Sequence, residues 1–203
     1  MMTKDGDNIL DFGTGDGKVF EYYLQEKSLK MFYGYDISSS MLKQVLPELS
    51  DKVNFTNDIK DICSRKYNFI SCLETMEHIP DAEVSNILNL LFSILNQKGK
   101  LLISVPLESG LSSLLKQIVR ILSGQKEKET NLLTILLSLF FLTRFVKRDQ
   151  RYPGHMGFDF FKLKKSIRSS GFKIIKTFYS PFPFLKFFLN SQVFYLVGKE
   201  TLH

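Results

Sequence analysis

Tryptophan is absent from this chain, cysteine occurs twice and histidine three times. Two thiols, Cys63 and Cys72, cannot build a disulfide framework. Cys72 lies in an apolar, strand-like run, and both read as reduced thiols of a cytoplasmic protein. The three histidines (His78, His155, His203) are isolated from one another and from the cysteines, so no metal-ligand spacing exists and no metal is expected. There is no G-x-S-x-G, which excludes the usual nucleophile elbow. No apolar run is long enough to span a bilayer alone: Leu132–Leu142 is eleven residues, interrupted by Thr134 and Ser138, against roughly 20 required. The first eight residues are mostly polar and include Asp5 and Asp7, which predicts no signal peptide. Internal repeats and low-complexity tracts are missing. What remains is a globular chain of 203 residues, read as a single domain over 1–203, enough for one full core and too little for two ordinary ones.

Charge is present in unequal halves. The net +6 divides into −5 over residues 1–110 and +11 over 111–203, and the basic stretch also holds 13 of the 19 phenylalanines. An acidic half joined to a basic, Phe-rich half predicts an anionic partner such as a membrane surface, a phosphorylated substrate or nucleic acid.

Strand-like and helical patterns alternate along the chain. Asn8–Phe12 is a short apolar run, followed by a helical face of Val19, Phe20, Tyr23 and Leu24. A second strand (30–36), a helix over 38–46 and strands at 53–56, 67–73 and 100–105 follow, with helical spacing over 81–95 between the last two. Several strands are apolar almost throughout, which predicts a parallel sheet covered on both faces. After an interruption the pattern resumes with a helix at 161–169, Gly171 as its stop, and strands at 173–179 and 192–199. The most telling residues lie between the first strand and helix: Asp11-Phe-Gly13-Thr-Gly15-Asp-Gly17. Glycines there permit positive φ and let backbone N–H groups approach a ligand. The dinucleotide fingerprint would need its third glycine at position 18, where this chain has Lys18, which argues against an NAD-type oxidoreductase.

With its D-x-G-x-G-x-G spacing the chain resembles the class I S-adenosylmethionine (SAM)-dependent methyltransferases. The resemblance extends to Gly34-Tyr-Asp36-Ile37-Ser38, to Asn57-Asp58-Ile59 and to Leu73-Glu74-Thr-Met-Glu77-His78-Ile-Pro-Asp81. The last of these is similar to small-molecule methyltransferases of the ubiquinone/menaquinone-biosynthesis type. Leu95–Ile103, Gly171-Phe172 and Val197-Gly198-Lys199 continue it. The implied fold is a doubly wound, Rossmann-like, seven-stranded and mostly parallel sheet with an antiparallel last strand, and a helical insertion, 111–150, after the fifth strand. The implied cofactor is S-adenosyl-L-methionine. Gly13, Gly15 and Gly17 would line its methionine part, and Asp11 would support the loop. Asp36 would accept both ribose hydroxyls, Asp58 would face the adenine amino group, Ile37 and Ile59 would sandwich the ring, and Glu74 would contact the amino group. Asp58 also suits a loop Asx-turn, and Glu74 a solvated strand end.

Methyl transfer from a sulfonium is an in-line displacement in which positioning supplies much of the acceleration, so a general base is optional. The candidates are Glu77, His78 and His155; His78 also suits a helix start, and Tyr152 and Asp159 are weaker, Asp159 serving equally as an N-cap. The insertion carries a basic amphipathic helix with Lys116 and Arg120, the apolar 132–142 run, and a cluster of Arg144, Lys147, Arg148 and Arg151. It reads as a packed hairpin, an acceptor-binding cap standing in for the lid helices expected ahead of the glycine loop, or an anchor on an anionic membrane through 111–151. The expected partner is a small-molecule or lipid-linked acceptor in the cytoplasm, at the inner membrane face. Nucleic acid is not the expected partner, because the basic residues are interleaved with Leu and Phe and no N-P-P-Y or D-P-P-Y follows the fourth strand. A non-catalytic SAM-binding or membrane-associated module is the alternative.

Overall fold

The computed structural model describes residues 6–25, 31–107, 158–185 and 190–200. In chain order its elements are β1 (Asn8–Phe12), α1 (Val19–Tyr23), β2 (Met31–Tyr35), α2 (Ser39–Leu42), α3 (Pro47–Ser50), β3 (Val53–Thr56), α4 (Ile59–Cys63), β4 (Tyr67–Leu73), α5 (Val84–Ile94), β5 (Leu95–Pro106), α6 (Phe160–Ser169), β6 (Phe172–Ser180) and β7 (Gln192–Lys199). Single 3-10 turns occupy Met76–His78 and Pro183–Leu185. The seven strands form one sheet in the order β3-β2-β1-β4-β5-β7-β6. β1 to β5 pair in parallel, and β7 runs antiparallel to both β5 and β6. This is the expected doubly wound, mostly parallel sheet with an antiparallel last strand. The insertion 111–150 and the basic cluster up to 151 lie outside the described residues.

Burial explains why the strands carry apolar residues at consecutive positions. Ile9 and Leu10 are both fully buried, yet their side chains point to opposite faces of β1. Leu10 joins a core cluster with Ile70, Cys72, Leu101 and Ile103, closed by Leu88 and Leu91 of α5 and by Leu163 and Ile167 of α6. Ile9 joins the other face with Phe20, Phe32, Leu49, Val53 and Phe69. Phe20 anchors that face through edge-on contacts with Phe32 and Phe55, at centroid distances of 5.9 and 5.6 Å.

Two elements depart from the sequence pattern. The helix expected over 38–46 ends at Leu42, and a separate turn of helix starts at Pro47. The proline ring forces the residue before it out of the helical region, and Leu46 is extended, with φ −63° and ψ 138°. β5 begins at Leu95, five residues early, but its ladder with β4 steps from Tyr67↔Leu95 to Phe69↔Lys100. Residues 96–99 therefore loop out of the pairing, so the anticipated turn sits inside the strand rather than ahead of it. Asp159 caps α6 by accepting from the N–H groups of Phe161 and Lys162 at 2.9 and 3.1 Å, and Gly171 follows the helix with φ +85°, the left-handed stop foreseen for it.

Candidate active site

From β1 the chain winds outward through β2 and β3, then returns to lay β4 on the other side of β1. The loops leaving the C-terminal ends of β1 and β4 part there, which opens a crevice at the switch point. The loop after β1 carries Gly13, Gly15 and Gly17 with φ of +80°, +58° and +79°. It is stapled to the end of β2: the Gly13 and Thr14 N–H groups donate to the Tyr35 carbonyl at 2.7 and 2.9 Å. Asp36 completes the staple. Its Oδ2 accepts from the Gly15 N–H and its Oδ1 from the Ser38 N–H, both at 2.8 Å. The carboxylate is thus aimed by backbone donors while each oxygen retains acceptor capacity.

The three glycines answer to different constraints. A methyl group on Gly13 would fall 2.3 Å from the Thr75 hydroxyl oxygen, and one on Gly17 would fall 3.0 Å from the Phe55 ring. At Gly15 the same group would meet only the Met41 Cε, at 3.5 Å. Gly13 and Gly17 are therefore required by the protein's own packing, whereas Gly15 keeps a surface of the crevice bare.

Beneath the loop lies a buried carboxyl. Asp11 pairs in register with Ser71 across β1 and β4, and the Ser71 hydroxyl donates to its Oδ1 at 2.6 Å. Burial pushes the Asp11 pKa up to about 6 against the opposing Ser71 bond, because the charged form loses more hydration than one hydroxyl returns. At the end of β4, Glu74 holds φ +49°, the single non-glycine positive φ among the described residues. Its N–H donates to both the carbonyl and the hydroxyl of Ser104, and the Ser104 hydroxyl donates to Glu74 Oε1 at 2.9 Å. A side chain held in this region marks a position where the surroundings override local preference, commonly at a functional site.

The family model described as "Methyltransferase domain" matches residues 2–176. The chain belongs to this methyltransferase family. No curated protein matches it. Among solved structures it is similar to a S-adenosylmethionine-dependent methyltransferase from Clostridium acetobutylicum (TM-score 0.63, 14% identity, 96% of this chain and 85% of the other). It is also similar to a TehB-like SAM-dependent methyltransferase from Corynebacterium glutamicum (0.62, 13%, 98% and 83%). A third is the magnesium protoporphyrin IX methyltransferase from Synechocystis with bound SAH (0.59, 17%, 97% and 75%). At these identities the likeness is one of fold. SAM is the cofactor of the methyltransferases that share it, as the sequence motifs implied; the ubiquinone-type subclass is not singled out.

The crevice of this methyltransferase fits that cofactor. A carboxylate fixed by two N–H donors suits a ribose, the bare face at Gly15 suits a close-lying chain, and Ile37 exposes 84% of its surface beside Asp36, as a platform for a ring would. The remaining expected residues divide. Asp58 is exposed and uses Oδ1 to accept from the Lys60 N–H at 2.9 Å as the cap of α4, so the Asx-turn reading holds for that oxygen. Ile59 is half-buried and packs against the main core, with only part of its surface left to face a ring. Glu77 and His78 share the 3-10 turn after β4 but face opposite ways, Glu77 fully buried and His78 exposed. His155 lies outside the described residues. No group of three His, Cys, Asp or Glu able to hold a metal occurs among the described residues, and no described helix is long and apolar enough to cross a membrane. Thr75 stands in the quoted Leu73–Asp81 motif without a role assigned to it; its hydroxyl donates to the Leu73 carbonyl at 2.9 Å while its side chain fills the space above Gly13. Ser71 and Ser104 were missed likewise; each is an ordinary strand serine until its cross-strand partner is known.

Proposed function

We propose that this methyltransferase transfers a methyl group from SAM to a small hydrophobic or lipid-linked acceptor in the cytoplasm, working at the inner face of the membrane. The observation that carries the acceptor class is the basic, Phe-rich composition of residues 111–203, at +11 with 13 phenylalanines. Exposed aromatics support it. Phe182 and Phe184 follow β6 with 48% and 77% of their surface exposed. They stand at the same end of the sheet as the glycine loop, because β6 and β5 both run against β7. The fully buried Asn190 holds this connection from both sides, accepting from the Phe182 N–H at 2.5 Å and donating to its carbonyl at 2.7 Å. Aromatic side chains on a pinned loop favour an apolar ligand over a highly charged one.

SAM, when bound, supplies a methyl group already activated on a sulfonium. The chain's task is placement. Asp36 would take the ribose hydroxyls on its remaining lone pairs, Gly15 would leave room for the methionine part, and Glu74 would face its amino group. Asp58 has Oδ2 left for the adenine edge, with Ile37 and Ile59 on either side of the ring. For an O–H or N–H acceptor His78, exposed after the end of β4, is the first group able to take the proton, and the buried Glu77 of the same turn is another candidate. His155 is a further base candidate.

The test is transfer of radiolabelled methyl groups from SAM by the full chain into a whole-cell extract, followed by solvent partition. Label recovered in the organic phase is the expected result. Label confined to aqueous small molecules, protein or nucleic acid overturns the acceptor class, and absence of transfer by protein that binds SAM overturns the reaction.

A further inference from the structure

The end of the sheet opposite the glycine loop carries a second cluster that methyl transfer does not use. Across β5, β7 and β6, Lys100 pairs with Gly198 and Gly198 with Lys173. The two lysines therefore occupy one row and one face of the sheet, with a residue that has no side chain between them. A methyl group on Gly198 would come within 3.2 Å of Ile175 Cδ1 and 3.3 Å of Lys100 Nζ. The space over Gly198 is thus closed by Ile175 and by the Lys100 ammonium, which lies against the bare backbone of β7. Beside them runs an open groove of about 460 Å³ lined by Gln97, Lys98, Lys100, Lys173, Ile175 and Lys199 among others, with no carboxylate in the lining.

Lysines on exposed strands often only discourage edge-to-edge pairing. That explains Lys173 on the edge strand β6, but not Lys100, which belongs to the interior strand β5, with Lys98 in the 96–99 loop beside it. None of the four lysines is ion-paired with a carboxylate among the described residues. Lys199 is set apart from the row: it pairs with Phe172 on the other face of β7, and its ammonium lies 4.5 Å from the centroid of the Phe92 ring.

We infer that this groove binds an anion carrying two or three phosphate groups. A phosphate group brings up to about two negative charges at neutral pH, so one falls short of the three lysines Lys98, Lys100 and Lys173 that face the groove, while two or three cover them. Lysine acts on phosphate as a flexible point charge and needs no rigid fork. The groove volume is that of a small-molecule site, and Ile175, with 48% of its surface exposed, offers an apolar flank. The same phosphate chemistry exists free in solution and on lipid headgroups.

Calorimetry on the full chain at low salt with tripolyphosphate, pyrophosphate and inorganic phosphate, alongside co-sedimentation with phosphatidylglycerol vesicles, distinguishes the two. The expected result is saturable tripolyphosphate binding, at least tenfold tighter than inorganic phosphate and weakened by added salt. In Lys100→Gln/Lys173→Gln it weakens at least tenfold while SAM affinity stays unchanged. Gly198→Asp, which sets a carboxylate against the Lys100 ammonium, gives the same loss by a separate route if the double variant does not fold. Vesicle binding that free tripolyphosphate competes away assigns the groove to headgroups, with the phosphate chemistry intact. Tripolyphosphate binding that is equal in both variants and the native chain, or that never saturates, overturns the site. SAM affinity measured in the same samples reads the opposite end of the sheet, so a failure here leaves the methyltransferase reading standing.

Discussion

Asp36 is the most exposing place to test the site, because one carboxylate there performs two tasks. In Asp36→Asn the side chain keeps its shape, retains one oxygen and turns an NH2 toward a backbone N–H that previously donated to it. Of the two 2.8 Å bonds, from Gly15 and Ser38, one is lost. A hydrogen bond to a charged acceptor contributes about 1.5–3 kcal/mol, and the half-buried setting takes the lower part of that range. The native chain should lose about 1–2 kcal/mol of stability, a fall in Tm of about 3–6 °C for a protein of this size. SAM binding should weaken further, since a ribose hydroxyl that donated to carboxylate would meet an amide: about 1.5–2 kcal/mol, or roughly 10–30-fold in Kd. Calorimetry with SAM and with a 2′-deoxy analogue closes a double-mutant cycle. The native chain should discriminate against the deoxy compound, and the variant should discriminate much less. If both proteins distinguish the two ligands equally, or if the variant binds SAM within threefold of the native chain, Asp36 does not hold the ribose.

Asp11 sets a pH dependence of known sign. Its pKa, about 6 when folded and 3.8 otherwise, means the folded chain binds the extra proton between those values, so this residue's contribution is fully present below pH 3.8 and is lost as pH rises through 6. A shift of that size is about 3 kcal/mol, and Asp11→Asn should therefore be more stable than the native chain by about 1–3 kcal/mol at pH 7.5, with the difference vanishing near pH 4. Urea unfolding at the two pH values measures it, and equal or lower stability of the variant at pH 7.5 would contradict burial as the dominant cause. The glycines should separate under alanine substitution. Gly15→Ala adds about 1–2 kcal/mol of left-handed strain and reduces SAM binding, while Gly13→Ala and Gly17→Ala add displacement of Thr75 and Phe55 to the same strain and lose about 1–3 kcal/mol more. Thermal melts of the three variants that coincide would refute this division.

What the sequence made legible was whatever repeats locally. Consecutive burial in β1 and β4 follows from apolar runs, the loop conformation from three alternating glycines, and the cap of α6 from Asp159. Even the break before α3 is written in Pro47, where the helical pattern over 38–46 stops. What stayed hidden depends on register between segments 30 to 62 residues apart. That Asp11 faces Ser71, that Glu74 meets Ser104, and that Gly13 is glycine because of Thr75 all require knowing which strand lies beside which; a slip by one residue would turn each side chain to the other face. For the same reason the sequence could place Glu77 and His78 together but could not say that one points inward and the other out.

The position of β7 bears on how the protein is made. It is the last of the seven strands to be synthesised, yet it lies between β5 and β6, so β6 has no neighbour in the sheet until β7 arrives. During translation the parallel half can close around its own core with α6 packed on α5, while β6 waits without a partner strand. Long-range pairing of this kind is slow and exposes strand edges while it is incomplete. A chain lacking the residues from 192 onward would therefore have its glycine-loop crevice already bounded by β1, β2 and β4, but the free edge of β5 still unpaired.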